Sequence, residues 1–173
     1  MEYAKNIERL ASDKKTEIFY NSCDEHALIV LKNLVKNAER YIKIICGNLC
    51  SDVSNDEEYL RIVDNFLSKN NTTIDILFDN YDNQCFECLP IFGILKKYPR
   101  QVKVRSLISG HINYEESPVH LTVSDDRAFR LETEIDKKMA WGNFNDEPKA
   151  RVFSDAFDRF FTDKYSTLIP LAG

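Results

Sequence analysis

The stretch Pro118–Asp146, PVHLTVSDDRAFRLETEIDKKMAWGNFND, is the part of the chain that says most about its fold. Apolar and polar residues alternate over residues 119–124, so His120 and Thr122 lie on the same face of a predicted strand. The next three residues, Asp-Asp-Arg, have the composition of a turn, and residues 128–133 form a returning strand. The stretch is therefore predicted to be a β-hairpin that presents a histidine and a hydroxyl on one face.

Upstream of the hairpin, strand and helix patterns alternate along the chain. The predicted strands are residues 17–20, 41–46, 72–78 and 102–108. The first and last predicted helices are residues 1–15 and Cys88–Lys97. Between them, one predicted helix runs from the capping box Ser22–Glu25 to Ala38 and another from the capping box Ser54–Glu57 to Leu67. This order predicts an α/β fold with a mixed, largely parallel sheet flanked by helices on both faces. We expect one domain over residues 1–173, with residues 1–15 as an appended N-terminal helix.

Downstream of the hairpin, residues 142–146 are predicted to form a tight loop that leads into the last helix. Asp146 can cap that helix, with Pro148 just inside its start. Aromatic residues recur at helical spacing over residues 152–161, which indicates a face that packs on the core. The mostly apolar tail, residues 165–173, is expected to cover the sheet or reach a partner subunit.

Composition restricts the class of protein. The chain has 173 residues, of which 43% are hydrophobic and 29% charged, and its net charge is −5. No apolar run is long enough to span a bilayer and the polar N-terminus lacks an apolar signal core, so a cytoplasmic protein is expected. No basic surplus marks a dedicated duplex-DNA binder. Five cysteines without framework spacing predict buried thiols rather than disulfides, although Cys85 and Cys88 form a CxxC that could be redox-active or half of a zinc site. Neither a metal nor a cofactor is expected.

Three segments together resemble the phospholipase D superfamily: Asn37–Ile44, His120–Glu132 and Gly142–Asn145. The resemblance covers roughly residues 17–161. It implies a histidine that attacks a phosphodiester, a lysine and an asparagine that bind the phosphate, and an aspartate that orients a histidine. It also implies that a chain with one such motif completes its site by forming a homodimer.

Carried over position by position, the resemblance makes His120 the nucleophile and Asn145 the loop asparagine, while Gly142 keeps the motif glycine. The lysine position holds Thr122, which has no charge. The aspartate position holds Arg127, with Asp126 one residue early, and the loop serine is Asn143. Positioned cations neutralise charge in phosphoryl transfer, so the missing lysine predicts a loss on the order of 10²–10³ in rate.

Several alternatives follow for individual residues. Arg127 or Arg130 could replace the missing cation, and Arg130 could equally form a structural salt bridge with Glu132. His120 could be a half-buried strand histidine bonded to a neighbour instead of a nucleophile. His111, in the preceding loop, could be a second acid-base group or a surface histidine.

Three functions remain open at this stage. The first is a catalytically degenerate phospholipase-D-like domain that serves as a binding, regulatory or structural module, as a homodimer or beside another protein. The second is an active, metal-independent phosphodiesterase or nuclease that uses His120, Asn143, Asn145 and an arginine on a phosphodiester or nucleic-acid substrate. The third is an α/β domain of another family.

Overall fold

The computed structural model describes residues 2–47, 49, 53, 55–79 and 81–171, and eight strands of this part form one sheet. In chain order the strands are β1 (Ile18–Asn21), β2 (Tyr41–Cys46), β3 (Thr73–Phe78), β4 (Val102–Leu107), β5 (Asn113–Tyr114), β6 (Ser117–Pro118), β7 (His120–Ser124), β8 (Ala128–Glu134), β9 (Met139–Asn143) and β10 (Ser166–Ile169). Strands β5 and β6 pair only with each other.

The sheet has the order β1-β9-β8-β7-β2-β3-β4-β10 and is mixed, as predicted. Its parallel part is smaller than predicted, because only the β2–β3 and β3–β4 pairs are parallel. The hairpin connections from β7 through β9 make antiparallel pairs, and β1 and β10 join the two edges antiparallel to their neighbours. Strand β7 then lies antiparallel beside β2, in the middle of the sheet.

Six α-helices of the described residues surround the sheet, together with a 3₁₀ turn at Ile135–Lys137. They are α1 (Glu2–Ser12), α2 (Asp24–Lys36), α3 (Glu57–Leu67), α4 (Asn83–Glu87), α5 (Pro90–Leu95) and α6 (Glu147–Phe160). The predicted helix Cys88–Lys97 is α5, which begins only at Pro90 because the ring of proline can start a helix but cannot continue one. Helix α4 precedes it, in a segment for which the sequence predicts no helix.

The predicted capping boxes are not what starts α2 and α3. Helix α2 begins after Cys23, which makes no side-chain capping bond. Helix α3 begins after Asp56, whose carboxylate accepts the backbone N–H of Tyr59 at 2.7 Å, and Ser54 lies outside the described residues. The cap of the last helix is confirmed, since the carboxylate of Asp146 accepts a backbone N–H in the first turn of α6.

Helices cover both faces of the sheet, as predicted. On one face α2, α3 and α5 pack over β2, β3 and β4, and α1 packs beside α2. On the other face the aromatic side of α6 packs over β7 and β8, through buried Phe153 and Phe157. Strand alternation decides which side each residue faces, so His120 and Thr122 point toward the α2 side, as the sequence pattern predicts.

The β7–β8 turn fastens the hairpin to the start of β2. Asp125 and Asp126 both have positive φ, near 55°, and the N–H of Arg127 bonds to the carbonyl of Ser124, which gives a type I′ turn. The buried carboxylate of Asp125 accepts three successive backbone N–H groups just before and at the start of β2, those of residues 39, 40 and 41, at 2.7, 2.9 and 3.0 Å. This contact sets the position of the whole hairpin on the sheet.

Two further expectations concern the thiols and the membrane. Cys46 is buried, whereas Cys85 and Cys88 are exposed, so the prediction that the cysteines act as small buried hydrophobes is wrong for that pair. The pair falls on the short helix α4 and its end, where both side chains reach solvent. Of the helices in the described ranges, none has the length and apolar character to cross a membrane.

Candidate functional site

The candidate site lies at the end of the sheet where the parallel strands β2 and β3 finish and β7 begins. Cys46 and Phe78 are the last residues of β2 and β3, and His120 is the first residue of β7. Crevices beyond the carboxyl ends of parallel strands are the usual ligand sites of open α/β sheets. The topology therefore brings the histidine of the hairpin to a position where such sites occur.

The ring of His120 is fixed through both nitrogens. Its Nδ1 lies 2.8 Å from a carboxylate oxygen of Glu132, directly across the β7–β8 pair. Its Nε2 accepts the backbone N–H of Gly47 at 3.1 Å. Because a carboxylate only accepts and a backbone N–H only donates, the proton of the neutral ring is on Nδ1.

Glu132 is held on its other side by a buried arginine. The second carboxylate oxygen of Glu132 accepts from Arg130 at 3.0 Å, and Arg130 Nε donates to Asn21 at 2.9 Å. Burial acts to raise the pKa of the Glu132 carboxyl, but the hydrogen bond from His120 and the charge of Arg130 outweigh it and hold that pKa below its ordinary value of 4.5. The predicted Arg130–Glu132 salt bridge is confirmed.

A second histidine lies on the other side of Gly47. His111 Nδ1 is 3.0 Å from the carboxylate of Asp79, a residue that follows β3 and whose side chain is only 5% exposed. The space beside Gly47 is so narrow that a Cβ there would lie 3.3 Å from Asp79 and 3.4 Å from His120 Nε2. Glycine at this position lets the end of β2 pass between the two histidine–carboxylate pairs.

A cavity of about 230 Å³ opens beside His120, between the sheet and the helices of the α2 face. Its walls are mostly apolar, with polar groups at the sheet side and the rim. The lining residues are Asp24, Ala27, Leu31, Ile44, Ile45, Cys46, Leu49, Val53, Tyr59, Ile91, His120, Thr122, Arg130, Glu132, Ile135 and Lys138. An apolar pocket with a few convergent polar groups is the usual form of a small-molecule site.

Each cation that lines this cavity has a carboxylate partner. Arg130 is paired with Glu132, and both side chains are nearly buried. Lys138 forms an ion pair with Asp24 at the rim. Apart from His120, the lining residues that the structure describes therefore carry two positive and two negative groups, whose charges cancel.

The other residues singled out in the hairpin lie elsewhere. His120, Thr122 and Arg130 line the cavity, but the turn with Asp126 and Arg127 is at the far end of β7, about 13 Å away at 3.3 Å per residue. There Asp126 interacts with Tyr41 and Ser154 on the α6 face, and Arg127 bonds to the carbonyl of residue 37 at 3.3 Å.

The two asparagines also lie toward the turn. Asn143 pairs in register with Phe129, three residues along β8 from the Glu132 rung, so it lies about 10 Å from the level of His120. Its side chain donates to the carbonyl of Thr16 and accepts the N–H of Asn145, both at 2.8 Å. The structure therefore does not bring Asn143 or Asn145 to His120 within one chain. The reason is that Gly142 and Asn143 are the end of strand β9 rather than a loop beside the histidine.

Several residues of the site escaped the sequence reading. The sequence pattern indicates Glu132 only as a partner for Arg130, although its place opposite His120 follows from pairing the two strands across the turn. Asn21 and Tyr59 come from β1 and α3, and no local pattern connects them to the hairpin. Over the described residues, no three His, Cys, Asp or Glu side chains are grouped so that they could hold a metal ion.

Comparison with known proteins shows that the chain has a phospholipase-D-like fold, as its three motif segments imply. No family model matches the sequence, and no curated protein matches it. The fold is shared with NucT from Helicobacter pylori, at 13% identity and a TM-score of 0.61, over 90% of this chain and 99% of that one.

Two longer proteins contain the same fold. TrmBL2, an archaeal chromatin protein, matches 93% of this chain with 59% of its own length, at 12% identity and a TM-score of 0.59. Phosphatidylserine synthase from Haemophilus influenzae matches 88% of this chain with 39% of its own length, at 10% identity and a TM-score of 0.54. These likenesses concern the fold.

Proposed function

We propose that this chain is a catalytically degenerate phospholipase-D-like domain that acts as a binding or regulatory module. The observation that carries the proposal is the charge balance around His120. The lysine position of the motif holds Thr122, and the two cations of the cavity, Arg130 and Lys138, are each held by a carboxylate. A phosphodiester placed there would meet no surplus of positive charge to stabilise its transition state.

The hydrogen bonds of His120 support the same proposal. A nucleophile needs a free lone pair directed at the substrate, whereas Nε2 of His120 accepts the N–H of Gly47. Attack would require that bond to break and the end of β2 to move. The two hydrogen bonds of the ring instead join the end of β2, at Gly47, to Glu132 of β8.

Hydrolysis of bis(p-nitrophenyl) phosphate tests this proposal. We expect the wild-type protein to release p-nitrophenol no faster than the His120→Ala variant, with or without a chelator, because neither chain supplies a positioned cation. The His26→Ala variant is the matched control, because this half-buried helix residue stacks on Tyr3 and does not line the cavity. Chelator-resistant turnover that is present in the wild type and His26→Ala and lost in His120→Ala would refute the proposal.

An active phosphodiesterase or nuclease is the second candidate, and one observation favours it. Glu132 fixes the proton of His120 on Nδ1, which leaves Nε2 as the unprotonated nitrogen that a nucleophilic histidine needs. Nucleic acid is a ligand class for this function, since TrmBL2 is described as showing a novel mode of DNA binding. The same assay separates the two candidates.

The proposal includes a homodimer, supported by apolar side chains on an open sheet edge. Strand β1 is an edge strand, and its Ile18 and Tyr20 are 51% and 68% exposed on the face away from α1. Tyr20 stands in register beside Trp141 of β9, which extends the apolar surface. Exposed edge strands with apolar side chains tend to pair with another chain.

Sedimentation equilibrium tests the dimer. We expect a dimer for the wild type and a monomer for Tyr20→Glu, because a charge at the centre of the contact would lose its hydration on association. Ile108→Glu, at a position 61% exposed near the opposite edge, should remain dimeric. A monomeric wild type, or equal association of Tyr20→Glu, would rule out this interface.

The single-domain organisation and the cytoplasmic location stay predictions.

A further inference from the structure

Two hydroxyl groups in the cavity wall have no hydrogen-bond partner among the described residues. Tyr59 is 4% exposed and Thr122 is 5% exposed, and both line the cavity. The side-chain hydroxyls of both residues make no hydrogen bond with any described residue. Of the described residues only Arg127 has a fully buried side-chain atom without a partner, so these two hydroxyl oxygens are open to the cavity rather than sealed in the core. Their positions on opposite walls, α3 and β7, mean that one bound molecule between helix and sheet could satisfy both.

The remaining chemistry of the wall favours an uncharged molecule. Burial raises the pKa of the Tyr59 phenol and of the Cys46 thiol well above their ordinary values, so both groups stay protonated. The charged groups of the lining cancel in pairs, Arg130 with Glu132 and Lys138 with Asp24. An ion bound here would lose its hydration without gaining an unpaired opposite charge.

The size of the cavity limits the ligand further. An apolar protein cavity of about 150 Å³ accommodates benzene. At about 230 Å³ this cavity is half as large again, which suits a bicyclic or similarly sized molecule. Its apolar wall residues, among them Leu31, Ile44 and Ile91, fit a ring system rather than a sugar or a phosphate.

We propose that the cavity binds a neutral, mostly apolar small molecule of about two fused rings, which carries hydrogen-bonding groups for Tyr59 and Thr122. This inference rests on the proposed function, because it names the ligand class of that binding module. The bound molecule would fill the space between α2, α3 and the sheet. It would also contact His120, whose hydrogen bond with Gly47 joins β7 to the end of β2.

Titration calorimetry with indole-3-acetamide tests the inference, with indole-3-acetate as a probe of nearly the same shape that carries a negative charge. We expect the amide to bind with roughly millimolar affinity or better, as its size allows, and the acetate to bind at least tenfold more weakly. Tyr59→Phe and Thr122→Val remove one hydroxyl each and keep the shape. Each should weaken binding of the amide by about fivefold.

Matched variants outside the cavity control for general effects. Tyr98→Phe and Thr133→Val make the same changes away from the cavity and should leave the affinity unchanged. Failure of the amide to bind, stronger binding of the acetate, or unchanged affinity in both Tyr59→Phe and Thr122→Val would overturn the inference. Turnover of bis(p-nitrophenyl) phosphate would instead refute the proposed function and leave these binding results as they stand, so the two failures are distinguishable.

Discussion

Replacing Glu132 with alanine should lower the free energy of unfolding by about 3–5 kcal/mol, because it leaves a buried charge without its partner. The side chains of Arg130 and Glu132 are only 6% and 11% exposed, and their ion pair also fixes the ring of His120. In the alanine variant the guanidinium would keep only Asn21 as a side-chain partner among the described residues. The substitution also removes an acceptor from His120 Nδ1.

Urea denaturation measures this effect, with two variants for comparison. Glu132→Gln preserves the shape and one acceptor oxygen, so it should lose less stability than Glu132→Ala. Glu134→Ala, at an exposed position on the same strand, should change the stability by less than about 1 kcal/mol. A Glu132→Ala variant as stable as Glu134→Ala would show that the buried pair does not hold the site together.

The same carboxylate predicts how stability depends on pH. The folded protein holds the pKa of Glu132 below its ordinary value of 4.5, so its contribution to stability is present above that value and is lost as pH falls through the folded pKa. The wild type should therefore lose stability on acidification more steeply than Glu132→Gln below about pH 4.5. Parallel pH profiles for the two proteins would contradict this assignment.

The second large effect is expected at the β7–β8 turn. Asp125→Ala should cost about 3–4 kcal/mol, because three backbone N–H groups lose their charged acceptor and a buried unsatisfied donor costs about 1–3 kcal/mol. Asp125 is 9% exposed, so water cannot freely replace the carboxylate. Alanine is also a poorer choice than aspartate for a residue with a φ of 55°.

Thermal and urea denaturation of three variants separate these causes. Asp125→Asn keeps one acceptor and tolerates the backbone conformation, so about half of the loss should remain. Glu116→Ala changes an exposed residue with a φ of 69° that lies outside the β7–β8 turn, and it should cost no more than about 1 kcal/mol. Equal losses in Asp125→Ala and Glu116→Ala would assign the effect to backbone conformation alone.

The sequence predicts the elements of the fold better than their arrangement. Alternation placed β7 and β8, with His120 and Thr122 on one face, and helical spacing placed α2 and α6. The sequence predicts the direction of the strands in the sheet less well. Strands β1 and β10 are short edge segments, and their pairing depends on contacts between residues that are distant in sequence. The starts of α2 and α3 differ from those predicted: Cys23 precedes α2 without a side-chain capping bond, and Asp56, two residues after the predicted Ser54, caps α3.

For the site, the sequence identified the central histidine but not its surroundings. Local pattern led to His120, Thr122 and Arg130, which the structure places around one cavity. Tyr59 lines the cavity from α3, and Asn21 on β1 accepts a hydrogen bond from Arg130, so only the tertiary fold reveals their part in the site. The resemblance of Gly142–Asn145 to the motif loop implies a position beside His120, but the length of β9 carries that segment to the other end of the hairpin.

Whether His120 forms a covalent bond with phosphorus tests the central claim most directly. Attack of His120 on bis(p-nitrophenyl) phosphate would form the N–P bond, release one p-nitrophenolate and leave a p-nitrophenyl-phosphoryl group on the ring. Intact mass spectrometry of the protein, quenched after incubation with this diester, would detect that phosphohistidine adduct. We predict an unchanged mass for both the wild type and the His120→Ala variant. A phosphoryl adduct on the wild type that is absent from His120→Ala would contradict the account and show that the domain is an enzyme.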